Sequence, residues 1–259
     1  MQQHTDIIAA FLAELSACDI RPSDPSQIRN DGAWHRLHVE GDARSAKNLA
    51  YKIHNDARPS GFFQDHKRGV SGTFSAHRNP TEVTPDQRAA WADAHAKRLA
   101  DQAADYAAAA KTANAYVAAA KGAPSKHPYV IRKGITPSKL ICARGELLIV
   151  PVIQTITDGK GGPIVSYQSI DADGGKLFMP GGRMADSFHP IAGADKKRAL
   201  ICEGYATGAA LAAASGHSVF CAMSASNIAG VAATIAAAYP DRELVICADN
   251  DHHTAKKTG

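Results

Sequence analysis

The stretches Ala199-Leu200-Ile201-Cys202-Glu203-Gly204-Tyr205-Ala206-Thr207-Gly208 and Leu244-Val245-Ile246-Cys247-Ala248-Asp249-Asn250-Asp251 decide how this chain folds. Each is a short, continuous apolar run that ends in acid. Between them lie a small-residue helical stretch over 206–214, a second apolar run Ser218-Val219-Phe220-Cys221-Ala222, and another helical stretch over 228–238. Apolar runs without in-and-out alternation, separated by helices, predict a parallel sheet covered on both faces, a β-α-β-α-β unit over 198–259. In such sheets the chemistry collects at the carboxyl ends of the strands. Those ends carry Glu203 after the first run and Asp249 with Asp251 after the third.

In an extended chain residues 249 and 251 point to one side, and the parallel topology brings Glu203 towards them. Three carboxylates in one crevice repel one another unless a proton or a cation intervenes. A hard divalent ion, Mg²⁺ or Mn²⁺, suits such a set of oxygens, and it keeps positions open for substrate phosphates, which points to phosphoryl or nucleotidyl transfer. Gly204 permits a close approach of backbone or substrate, and a helix starting near Ala206 aims its N-terminus at the same place.

Glu203-Gly204-Tyr205-Ala206-Thr207-Gly208, followed 46 positions after the glutamate by Asp249-Asn250-Asp251, resembles the signature of Toprim domains, which occur in DnaG-type primases, topoisomerases and small nucleases. The resemblance implies a metal on Asp249 and Asp251, with Glu203 as general acid/base or further ligand. Upstream, Tyr129-Val130-Ile131-Arg132-Lys133-Gly134-Ile135 is similar to an element of primase catalytic cores. So are Leu148 to Val152, Gln168 to Ile170, and Lys176-Leu177-Phe178-Met179-Pro180-Gly181-Gly182-Arg183, in the order found in primases of phages, plasmids and other mobile elements. The resemblance covers residues 125–257. It implies metal-dependent synthesis of short RNA primers on a single-stranded DNA template from ribonucleoside triphosphates, with a replicative helicase as a further partner. Arg132, Lys176 and Arg183 would contact template and nucleotides. Lys197, in the basic run Lys196-Lys197-Arg198 shortly before Glu203, is a further candidate for nucleic-acid contact. A Toprim fold continues with another helix and strand after its second acidic strand, so residues 198–259 are expected to be a C-terminally incomplete Toprim subdomain.

Ahead of this half, glycine pairs at 161–162 and 174–175 separate short strands over 147–152, 164–170 and 176–179, which predicts an antiparallel meander in a primase-core subdomain over 125–197. A long connecting helix over 81–122 precedes it. Thr84-Pro85-Asp86-Gln87 forms its capping start, alanine fills about half of positions 89–120, and Gly122 with Pro124 stops it. Residues 1–80 read as a small α+β module, with an amphipathic helix carrying Ile7, Ile8, Phe11, Leu12 and Leu15 followed by β-rich sequence from Trp34 to Ala76. In this module Trp34, Tyr51, Phe62 and Phe63 are candidates for core packing or for stacking on single-stranded bases. The overall expectation is thus a mixed α+β and α/β chain.

The composition narrows the function classes. The 29 Lys and Arg against 25 Asp and Glu leave a charge of +4, compatible with a polyanionic partner without requiring one. Five cysteines are scattered singly with no CxxC pair, so they read as reduced thiols, and the zinc ribbon that often precedes bacterial primase domains is not expected. No apolar stretch approaches the roughly 20 residues of a membrane span, and no signal peptide opens the chain, which leads to an expected cytoplasmic location. None of the glycine pairs fits a P-loop, which excludes a helicase motor. Asp251-His252-His253 spells the motif of a phosphoesterase family without that family's other acidic motifs. Two competing functions share the fold: a Toprim-type metal-dependent nuclease, and a catalytically incomplete DNA-binding or partner-binding regulatory module.

Overall fold

The structure, a computed structural model, describes residues 2–56, 58–76, 85–122, 124–157 and 160–248, with the side chains of 2–6, 157 and 160 excepted. The capping residue Thr84, both aspartates of the 249–251 motif and the 251–253 triplet lie outside the described residues. Two compact units, Met1–Asp101 and Gln102–Gly259, divide the chain. The division falls inside one long helix, α2 (Pro85–Ala118), whose alanine content stabilises it with little help from burial, since Ala113 is its one buried residue.

In the first unit, α1 (Gln2–Ala17) places Ile7, Phe11 and Leu15 four residues apart on one stripe, all fully buried. The stripe packs on an antiparallel meander of β1 (Asp31–Leu37), β2 (Leu49–His54), β3 (Ser60–Asp65) and β4 (Val70–Ser75) in consecutive order. Phe11 meets the rings of Tyr51, Phe63 and Phe74 at centroid distances of 5.0, 6.2 and 4.8 Å. Strand alternation therefore splits the four aromatic candidates of this module. Tyr51 and Phe63 are in the core, while Trp34 and Phe62 are on the opposite face.

The second unit begins its compact part with α3 (Pro128–Lys133), held at both ends by local chemistry. The His127 ring accepts from the Tyr129 N–H at the start, and Gly134 closes the helix at φ +62°, where a side chain would be strained. A four-stranded antiparallel sheet follows, built from β5 (Cys142–Arg144), β6 (Leu147–Ile153), β9 (Ile164–Ile170) and β10 (Lys176–Phe178) in the order β10-β9-β6-β5. A two-strand flap, β7 (Ile156–Thr157) and β8 (Lys160–Gly161), rises between β6 and β9. The expected meander is present. Its short β5 and β7–β8 pieces carried too few residues to show any periodicity.

The parallel unit consists of β11 (His189–Ile191), β12 (Asp195–Cys202), α4 (Tyr205–Ser215), β13 (His217–Cys221), α5 (Ile228–Ala238) and β14 (Glu243–Cys247). The strand order is β11-β13-β12-β14, with β12 parallel to both β13 and β14 and the added edge β11 antiparallel. Side-chain alternation on β12 explains why both faces are covered. Leu200 and Cys202 pack with Tyr205 and Ala209 of α4, while Ala199 and Ile201 pack with Val231 and Ile235 of α5. Phe188 and Ile153 exchange backbone hydrogen bonds of 2.9 and 2.8 Å, which joins this sheet to the antiparallel one. The cluster around α4 also takes in Tyr129, Leu148, Val150 and Ile170, so the segments expected as separate subdomains share one core. Among the described residues no helix is long and apolar enough to cross a membrane.

Candidate nucleotidyl-transfer site

The strand order fixes where a site belongs. From β12 the chain passes through α4 on one face to β13, then returns through α5 on the other face to β14, beyond β12. The direction of winding reverses between β12 and β14, and the carboxyl ends of those two strands flank the crevice at which open α/β sheets bind ligands. Cys202 and Cys247 are register partners, the last residues of β12 and β14. Glu203 is the next residue on one side, and Asp249 follows Cys247 by two positions in the sequence, beyond the described residues.

Glu203 is anchored through its backbone. The Met223 N–H donates to its carbonyl at 2.7 Å, and the Ala222 N–H donates to that of Cys202 at 2.8 Å, so the ladder between β12 and β13 runs on past the strand ends. Its side chain is half-buried and has no hydrogen-bond or ion-pair partner among the described residues. Gly204 is the N-cap of α4 and offers no side-chain acceptor, which leaves the first-turn N–H groups of that 11-residue helix to solvent or ligand. A Cβ on Gly204 would lie 4.0 Å from the Lys176 ammonium, so β10 delivers a cation beside Glu203. β10 is exposed along its length, and it shows Leu177 and Phe178 to solvent next to that cation.

The other basic candidates divide. Arg132 donates to the Ala172 carbonyl at 2.8 Å and lies over the Tyr129 ring, so it ties α3 to the turn that leads into Lys176. Arg183 sits in the loop after β10, 3.9 Å from Asp186 and over the Tyr106 ring. Lys197 is not brought to this place. It lies on β12 six residues before Glu203, which at the rise of an extended strand is roughly 20 Å away. Closeness in sequence gave no closeness in space, because the strand runs straight between them.

Three groups that sequence reasoning did not single out hold the site together. Asn227 donates from its amide to the carbonyls of Met184, Ser187 and Ala222 at 3.0, 2.8 and 2.9 Å and accepts from the Asp186 N–H, which fastens the Arg183 loop to the end of β13. His189 is fully buried, and its ring nitrogens bond the Pro151 carbonyl at 2.7 Å and the Ser138 hydroxyl at 3.0 Å. Burial pushes its pKa down to about 4, so the ring is neutral, donates to Pro151 and accepts from Ser138. The Ser138 N–H in turn donates to the Tyr205 hydroxyl, whose pKa burial pushes up to about 12. This chain of bonds fixes the first turn of α4, one residue after Gly204. Gly208 is required by contact, because a Cβ there would lie 2.3 Å from the Cys221 sulfur. None of these roles has a local signature, since each depends on partners about 40 to 70 positions away or on a packing distance.

Glu203 suits a hard divalent cation by its chemistry: a carboxylate without a partner among the described residues, at the crevice, with two more carboxylates following the neighbouring strand in sequence. Among the described residues no cluster of three or more His, Cys, Asp or Glu could hold a metal.

Residues 198–258 match the Toprim domain family. The chain is 30% identical over 243 residues to a DNA primase TraC of Escherichia coli, a match covering 90% of this chain and 22% of the relative. A second DNA primase TraC of Escherichia coli is 29% identical over 237 residues, covering 88% of this chain and 16% of the relative. The chain thus spans about a fifth of the length of these curated relatives. No solved structure gives a significant match.

Proposed function

Because this chain carries a Toprim domain and is a relative of the mobile-element Toprim primases, we propose that it takes part in metal-dependent synthesis of short RNA primers on single-stranded DNA during replication of such an element. The observation that carries this reading is the carboxylate of Glu203, without a partner among the described residues, at the point where the winding reverses, on the strand next to the one that leads into Asp249 and Asp251.

In this reading Asp249 and Asp251 would hold Mg²⁺ or Mn²⁺ beside Glu203. A bound divalent ion supplies neutralisation of the triphosphate charge. The remaining work belongs to the chain. Glu203 accepts the proton of the attacking primer hydroxyl. Lys176 and the free N–H groups at the start of α4 bind phosphate oxygens of the incoming ribonucleoside triphosphate. Arg132 keeps the turn before Lys176 in place, and Arg183 contacts the template strand from its loop. Lys197, far along β12, takes no part in the reaction. A replicative helicase is the partner expected to deliver the template.

The test is primer synthesis on single-stranded DNA with ribonucleoside triphosphates and Mg²⁺ or Mn²⁺, using the natural open reading frame that contains this chain. Labelled oligoribonucleotides should form, and Glu203→Ala or Asp249→Ala should abolish them. Metal-dependent nicking without nucleotide incorporation would instead select the nuclease function. Retained biological effect in both alanine variants would select the non-catalytic module.

A further inference from the structure

The first unit has a second face that its fold does not explain. Its core side is apolar and covered by α1, so simple alternation should leave the other side of the meander polar. The register across β1, β2, β3 and β4 instead aligns Trp34, Lys52, Phe62 and Thr73 in one row, with Arg36, Ala50, Gln64 and Ser71 in the next. Trp34 is 60% exposed. Trp34 and Phe62 are separated by the intervening strand β2, a spacing of about 9.5 Å, yet their ring centroids lie only 6.0 Å apart at 80°. The two rings lean together over Lys52.

The charge in the rows of Trp34 and Arg36 has one sign. His54, Ser60 and Ser75 form a further row, whose β1 register partner Asp31 lies beyond an irregularity in that strand and turns its carboxylate to the His35 ring at 2.8 Å. Asp65, which belongs to β3, is on the core side and fully buried against Arg68. Arg36 reaches only the Lys47 carbonyl and makes no ion pair among the described residues. Exposed rings flanked by cations on an open antiparallel sheet match the two needs of a single-stranded polynucleotide: flat surfaces for unpaired bases and positive charge for the phosphates between them. A protein partner's apolar patch would not need this excess of cations, and a duplex keeps its bases stacked away from such rings.

We propose that the open face of the N-terminal sheet, with Trp34 and Phe62 as stacking platform and Arg36 and Lys52 as phosphate contacts, binds single-stranded DNA. The choice of DNA rests on the primase reading above. The platform itself does not, because its occupation requires neither a divalent ion nor a nucleotide.

The experiment uses the full chain carrying Trp91→Phe, which leaves Trp34 as the sole tryptophan of the two in the sequence. Titration with oligo(dT), free of metal and nucleotide, should quench Trp34 emission to saturation. In the unlabelled parent chain, Trp34→Ala should weaken oligo(dT) binding roughly tenfold by anisotropy. The pair Arg36→Ala and Lys52→Ala should flatten the dependence of log affinity on log salt by about 1.4. All three positions are open to solvent or half-open, so these variants should keep the far-ultraviolet dichroism of the parent. Binding with no change in Trp34 emission, or equal affinity in both sets of variants, would overturn the proposal. Equal quenching by duplex DNA would overturn its single-strand character, and tighter binding of oligo(rU) would overturn the assignment to DNA. A failed primer-synthesis assay with quenching retained would sink the primase reading and leave the platform standing.

Discussion

Acidification from pH 7 to pH 4 should destabilise the second unit through one side chain, His189. The ring is fully buried between Pro151 and Ser138, and its pKa falls from an ordinary 6.5 to about 4. In the unfolded chain the same ring takes up a proton near 6.5, so below that pH the unfolded state binds a proton that the folded state refuses. Stability is therefore fully present above pH 6.5, declines as the pH falls through the window, and has lost the whole contribution below about 4. At about 1.4 kcal/mol per pH unit, that gap is worth roughly 3 kcal/mol. His54, half-buried, is shifted in the same direction by burial and adds to the slope, so the comparison needs His189→Gln as a reference. Urea unfolding between pH 7 and pH 4 provides the assay. Both tryptophans belong to the first unit, so their emission follows that unit, and the part of the dichroism change that departs from it follows the second. The parent should lose roughly 3 kcal/mol more than His189→Gln across the window. Parallel loss in the two proteins would refute the neutral, buried strut.

Further perturbations follow from the same geometry. Gly208→Ala forces a methyl group to within 2.3 Å of the Cys221 sulfur and should lower the unfolding free energy of the second unit by about 1–3 kcal/mol, read from the urea midpoint. Gly204→Ala, whose Cβ would meet nothing nearer than the Lys176 ammonium at 4.0 Å, should cost less than about 1 kcal/mol, the loss of a favourable N-cap residue. Asn227→Ala removes an amide that bonds three carbonyls and one N–H, and should cost about 2–3 kcal/mol and increase hydrogen exchange over residues 184–187. Lys176→Ala should raise KM for the ribonucleoside triphosphate about tenfold or more with an unchanged midpoint, the value of a charge-assisted phosphate contact. Glu203→Gln should abolish primer synthesis while the dichroism spectrum stays that of the parent.

The β-α-β-α-β half was legible because its strands are buried on both faces and so appear as unbroken apolar runs such as Leu200-Ile201-Cys202, each followed by a helix of small residues. The helix, expected over 81–122 and found over 85–118, was legible from its alanine content, its capping start and its Gly122 and Pro124 stop. Pairing was harder to read. That β14 lies beside β12, and not beside β13, is a property of contacts 45 positions apart, and no local pattern carries it. Glu203 was legible as acid at a strand end. Lys197 shows the limit of such reading, because six residues of strand set it far from the glutamate it nearly adjoins in sequence. His189 and Asn227 were invisible for the converse reason: an ordinary histidine and an ordinary asparagine gain their roles only from carbonyls that the fold brings to them. In the N-terminal module the choice between packing and stacking could not be made for four aromatics together, and register divided them two and two.

The position of β14 also orders events in time. It is an edge strand whose one neighbour among the described strands is β12, and its Ile246 is 56% exposed. During synthesis β12, α4, β13 and α5 can all emerge and pack before β14 exists, so this wall of the crevice forms only when β14 arrives. The reverse path is equally short, since peeling one half-covered strand from the sheet dismantles the crevice while the core beneath α4 stays intact. Amides of 243–247 should therefore exchange well ahead of those of 199–202, making loss of the site a small, local opening far cheaper than unfolding the protein that carries it.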